Sequence, residues 1–204
     1  ELWYYRYDSN RGYLRQILPD ESGDAALKAD RIIGVFRQPT FIDKQIKMFV
    51  AVKSGAAYQL YTYTYEQKTS GSDIITCVDK KDITSWAGGM SDDCKMFTNG
   101  VEVPLNYLYI AKGNDLWRTS YESQADPKAV KSFPAPITAA EVVISTPNTI
   151  SENTKELYTA IFTYDTSAKT SKMYVLDART DDLKAYSEVE TAIPGKVVRY
   201  LANQ

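Results

Sequence analysis

The sequence predicts an all-β chain folded as a β-propeller of four-stranded antiparallel blades. Three observations predict it: a strand that recurs at a near-constant interval, an abundance of tyrosine, and the lack of any useful length of helical periodicity. The recurring strand reads Leu2-Trp3-Tyr4-Tyr5-Arg6-Tyr7-Asp8, Leu60-Tyr61-Thr62-Tyr63-Thr64-Tyr65-Glu66, Leu116-Trp117-Arg118-Thr119-Ser120-Tyr121-Glu122 and, more loosely, Met173-Tyr174-Val175-Leu176-Asp177-Ala178-Arg179. Its lead residues stand 58, 56 and 57 positions apart, an interval that speaks for repeat architecture before any single residue is interpreted. The 16 tyrosines suit a half-buried pleated surface, where the ring packs across strands while the hydroxyl reaches water.

Each element follows in order. The chain opens on a strand, and Asp8-Ser9-Asn10-Arg11-Gly12 is turn chemistry, since Asn and Gly tolerate positive φ; strand character returns over 13 to 18. A polar loop spans 19 to 30, with one helical turn expected at 25 to 28. Strands are then expected near 31 to 37, 45 to 53, 57 to 66 and 73 to 78, and again near 94 to 98, 106 to 112, 115 to 122 and 129 to 133, with turns at Asn99-Gly100 and Lys112-Gly113-Asn114-Asp115. A third cycle is expected near 140 to 146, 155 to 164, 171 to 178 and 183 to 190, followed by one strand over 196 to 201. With the strands of each cycle lettered A to D, the chain reads C-D, three complete units, then A. About four blades are visible in a single domain over 1–204 that starts mid-blade, as expected for the C-terminal fragment of a longer protein. A β-sandwich or a stack of β-meanders is the competing architecture.

Composition removes many activities. At 204 residues, 44% hydrophobic and 25% charged, the chain has the make-up of a globular domain rather than a disordered tail. Net charge is -2 with no block of one sign, which argues against a nucleic-acid partner. No stretch approaches the roughly 18 apolar residues of a spanning helix. Histidine is absent, so neither a Ser-His-Asp triad nor a histidine metal site can be built; a hydrolase or lyase using carboxylates alone survives. No cofactor motif is present. The interval also exceeds the roughly 40 to 50 residues of WD and kelch repeats, whose signatures are missing.

The tyrosine-rich blades with a Leu-aromatic start, as in Leu2-Trp3-Tyr4-Tyr5-Arg6-Tyr7, Asn106-Tyr107-Leu108-Tyr109-Ile110-Ala111 and Glu156-Leu157-Tyr158-Thr159-Ala160-Ile161-Phe162, resemble the propeller-like portion of exported PKD-like lipoproteins of the Bacteroidota. The resemblance covers most of the chain. It implies export to the periplasm or cell surface, any lipid anchor lying upstream, and a role in nutrient capture without catalysis.

Two constellations are candidates for a site. Cys77 and Cys94 bracket an interblade loop. In an exported chain they are placed either to form a disulfide, contributing about 3 kcal/mol by loop closure, or to stay as buried thiols. The loop carries Asp79, Asp92, Asp93 and Trp86: an exposed indole would stack on a sugar face while the acids accept hydroxyl hydrogen bonds, whereas a buried one would simply plug the loop. Its acids lack the ordered spacing of an EF-hand, and no metal is assigned. The second constellation is a charge at the start of each innermost strand, Arg31, Lys95, Glu141 and Lys196, which in a propeller would ring one mouth of the channel and hold an anionic or acidic-sugar ligand. Solvated strand ends are the plainer reading. Three functions stay open: a non-catalytic extracellular binding module that takes carbohydrate through its interblade loops, a protein-interaction or structural propeller in a surface assembly, and a carboxylate-only glycan hydrolase or lyase.

Overall fold

The computed structural model describes residues 3–8, 11–16, 29–37, 45–66, 74–98, 107–120, 123–145, 156–177, 180 and 192–199. The fold is all-β. A hairpin of β1 (Trp3–Asp8) and β2 (Arg11–Gln16) precedes three four-stranded antiparallel sheets. Sheet 1 runs β3 (Arg31–Arg37), β4 (Gln45–Ser54), β5 (Ala57–Glu66), β6 (Ile74–Asp82) in spatial order. Sheet 2 repeats the order with β7 (Lys95–Thr98), β8 (Tyr107–Lys112), β9 (Asp115–Ser120) and β10 (Lys128–Ser132). Sheet 3 repeats it with β11 (Ile137–Ser145), β12 (Glu156–Asp165), β13 (Thr170–Asp177) and the short β14 (Ile193–Pro194).

The sheets stack through their faces. Period two sends Phe49, Ala51, Tyr58 and Leu60 of sheet 1 toward Met96, Leu108 and Ile110 of sheet 2, while Tyr109, Ala111 and Leu116 on the opposite face of sheet 2 meet Ile137, Ile161 and Leu176 of sheet 3. A strand buried on both faces reads as a continuous apolar run, and Leu108-Tyr109-Ile110-Ala111 is one, all four residues being buried. The repeated lead residues show what the interval means. Leu60 points from sheet 1 toward sheet 2, Leu116 from sheet 2 toward sheet 3, and Met173 joins the cluster of Ala139, Ala160 and Phe162 on the far face of sheet 3. Each repeat therefore maps one sheet onto the next. The aromatic positions of the repeat serve the same packing: Tyr63 is buried with Val50, Val52 and Tyr61, and Trp117 packs against the core between sheets 1 and 2.

The first strands of the three sheets are neighbours, with β7 lying against β3 on one side and β11 on the other. Two of them carry a bulge near their start. In β3 the register shifts between Ile32 and Gly34, leaving Ile33 as the extra residue; in β11 it shifts between Ile137 and Ala139, leaving Thr138. A Cβ at Gly34 would lie 2.3 Å from the Phe36 ring, so any side chain there would have to displace that buried ring.

Two expectations are corrected. Strand β6 continues to Asp82, because its residues pair with β5 as far as Gln59, so Asp79 lies on a strand rather than in the loop. The stretch 195–199 is irregular rather than a strand: β14 pairs with β13 and Gly195, at φ 86°, turns the chain away from the sheet. The helical turn at 25 to 28, the Asn99-Gly100 turn and the strand at 183 to 190 fall outside the described residues.

Candidate functional site

The bracketed loop is a structural plug. Its 3-10 turn Trp86–Gly88 drops the indole into the core beside Leu60, Ile83 and Leu108, and Trp86 is 1% exposed. The expected solvent-facing sugar platform is thus corrected: apolar burial outweighs display here. The Lys81 ammonium sits 5.7 Å from the indole centroid. Lys112 Nζ donates to the carbonyls of Ala87 and Gly89, at 3.2 and 2.6 Å, and so closes the turn's carbonyl end.

The acids nominated as ligand contacts already have internal partners. Asp92 accepts from Lys53 Nζ at 2.7 and 2.9 Å and from the Tyr58 hydroxyl at 2.8 Å. Arg31 Nη1 donates to the Asp92 backbone carbonyl at 2.9 Å, which fastens the loop to sheet 1. The Lys53 hydrogen bond, then the Tyr58 one, hold the Asp92 carboxyl below its ordinary range, and the same bond raises the Lys53 ammonium. Asp93 accepts from Ser91 Oγ at 2.5 Å, and Asp79 accepts from the Lys80 amide at 2.8 Å. No disulfide joins Cys77 to Cys94: Cys94 is buried between sheets 1 and 2, while Cys77 packs with the cluster on the opposite face of sheet 1. Among the described residues, no three Cys, Asp or Glu side chains gather as metal ligands.

Among the described residues, a larger open space lies where the first strands meet. A crevice of about 510 Å³ is walled by Ile33 of β3, Lys95, Met96 and Phe97 of β7, Ile137 to Glu141 of β11, and Val198 and Arg199 of the irregular C-terminal stretch. Both bulged residues, Ile33 and Thr138, are in its wall. Lys95 Nζ turns back onto β11 and donates to the carbonyls of Thr138 at 2.5 Å and Ile137 at 3.4 Å. Desolvation there, reinforced by the nearby charge of Lys196, pulls the Lys95 pKa down. Phe97, half-buried in the wall, stacks on Tyr109 with centroids 5.0 Å apart. Of the four charges expected to ring a channel mouth, Lys95 and Glu141 line this crevice and Lys196 stands close to Lys95; Arg31 does not line it, being engaged with the Asp92 carbonyl.

No family model matches the chain, and no curated protein does. Solved structures that it resembles include an ACO/RPE65 chimera, at TM-score 0.40 and 14% identity over 84% of this chain and 40% of that one. A point variant of the Synechocystis apocarotenoid oxygenase is similar at TM-score 0.39 and 16% identity, over 80% of this chain and 37% of that one. The chain thus spans about two fifths of the length of these structures.

Sequence reasoning missed Arg199. Reading 196 to 201 as a strand hid it, although Pro194-Gly195 is the signal that a strand ends there. It also missed Ser171, a fully buried hydroxyl on β13 that donates to the Gly195 carbonyl at 2.7 Å and accepts from the Val197 amide at 3.0 Å, seating the stretch that carries Lys196, Val198 and Arg199.

Proposed function

We propose that the protein is a non-catalytic extracellular binding module of propeller type, and that a glycan seats in the crevice between the first strands of its sheets. The propeller reading is supported by the lead residues Leu60 and Leu116, each aimed at the following sheet, and by β3, β7 and β11 lying side by side as innermost strands do. One observation carries the functional reading: a crevice of about 510 Å³ that joins a half-buried aromatic, Phe97, to converging charged groups and backbone carbonyls. Export, and kinship with the Bacteroidota lipoproteins, belong to the same proposal. A protein-interaction propeller would present a broad apolar patch, whereas the exposed large apolar side chains among the described residues, Val35, Val78 and Val198, sit on separate elements. A carboxylate-only hydrolase needs two acids across a pocket, and the crevice wall contributes Glu141 alone.

A glycan array on the protein tests this, followed by amide-shift mapping with the strongest hit. Shifts confined to 95–97, 137–141 and 196–199 are expected. An array without hits, or shifts centred on 83–94, would overturn the reading.

A further inference from the structure

We infer that the crevice selects an acidic saccharide, a sugar bearing a carboxylate or sulfate oxyanion, and that the Arg199 guanidinium receives that anion. This rests on the glycan reading above and specifies its ligand.

The argument is one of hydrogen-bonding capacity. Arg31 is engaged with the Asp92 carbonyl, Lys53 with the Asp92 carboxylate, Lys112 with the loop carbonyls and Lys95 with two carbonyls of β11, while Lys196 stands near Lys95 without lining the crevice. Arg199 makes no hydrogen bond or ion pair among the described residues, yet it lines the crevice and is exposed there. Its planar fork of donors matches an oxyanion in two-point contact, which an ammonium cannot do. Lys95 and Arg199 share the wall with one carboxylate, Glu141, and Lys196 stands close enough to Lys95 for its charge to be felt there. Asp93, the other acid whose charge reaches Lys95, is tied to Ser91. Ile33, Phe97 and Val198 supply apolar wall for the faces of a sugar ring.

Placement favours the same conclusion. The stretch bearing Arg199 is seated by the buried Ser171 hydroxyl, at 2.7 and 3.0 Å, and by the Gly195 amide on the Lys169 carbonyl at 3.0 Å. An anchored stretch gives up less freedom on binding, so a receptor group carried on it is pre-organised for its ligand. Ser171 is thereby a positioning residue.

The test is an array on which each uronate-bearing or sulfated glycan is paired with its methyl-esterified or desulfated counterpart, followed by calorimetry on the best pair. The acidic member should bind and its neutral counterpart should not, with added sodium chloride weakening the contact. The uronate and sulfate arms identify which oxyanion is taken. Arg199→Ala should weaken binding by about tenfold or more, the size of a lost charge-assisted contact, while circular dichroism and the unfolding midpoint stay unchanged. Arg199→Lys should recover only part of it, and Ser171→Ala should shift affinity in the same direction by less. Equal binding of both members at the crevice, or an Arg199→Ala protein of unchanged affinity, would overturn acid selection and leave the glycan reading standing. An array with no hits of either kind would remove both.

Discussion

The loop at 83–94 and the crevice at the first strands are built from similar residues and use them in opposite ways. Each has an aromatic, a carboxylate and nearby cations, with two acids in the loop and Glu141 in the crevice wall. In the loop the acids and the turn carbonyls are answered internally: Asp92 by Lys53 and Tyr58, Asp93 by Ser91, and the turn carbonyls by Lys112, while Asp82 at the end of β6 accepts from the Thr84 amide at 2.8 Å. In the crevice the aromatic keeps part of its surface in the open and Arg199 keeps its donors. The lesson is that residue type nominates a site, while unspent hydrogen-bonding capacity decides between a site and a plug.

The comparison breaks first at Trp86. If the loop is a plug, Trp86→Ala leaves a large cavity between sheets 1 and 2 and should cost about 3 to 5 kcal/mol in urea unfolding. A loss below about 1 kcal/mol would mean that the indole is not the plug described here. Next comes Lys112→Met, which keeps the apolar stem and removes the donor from two turn carbonyls; a loss of about 1 to 2 kcal/mol is expected, and an unchanged midpoint would detach Lys112 from the turn.

The Asp92–Lys53 pair sharpens the comparison through pH. The folded Asp92 carboxyl is lowered, so its contribution is fully present above about pH 4, the ordinary Asp value, and is lost as pH falls through the lower folded value. Lys53 is raised, so its contribution is fully present below about pH 10.4 and is lost as pH rises through the higher folded value. The unfolding midpoint plotted against pH should show a plateau with a limb at either end, and Asp92→Asn should flatten both limbs. Because the pair is exposed, the effect is small and best read as curve shape. The smallest expected effect is none: adding a thiol reductant should leave the unfolding midpoint where it is, whereas a bridge between Cys77 and Cys94 would have contributed about 3 kcal/mol.

Much of the fold was legible in the residues. Alternation along Phe49-Val50-Ala51-Val52 and the double-faced run at 108–111 required strands, and Lys112-Gly113-Asn114-Asp115 required a tight turn, which occurs with Gly113 at φ 54°. Less of the site was legible. Lys95 and Glu141 were nominated and do line the crevice, but Arg31 was nominated on the same pattern and is engaged with a carbonyl 61 residues away in sequence. The cysteine spacing suited a bridge, yet a strand displays successive faces alternately, and the pleat of β6 put Cys77 on the wrong one.

What the sequence determined by itself is the strand and its period, because alternation and interval are local properties written into consecutive residues. Tertiary structure alone decided which polar groups remain available. The bulges at Ile33 and Thr138, the clamp on Asp92 and the Ser171 anchor of 195–199 all join residues far apart in the chain. Whether a charge is satisfied depends on its neighbours in space, and no local pattern encodes those.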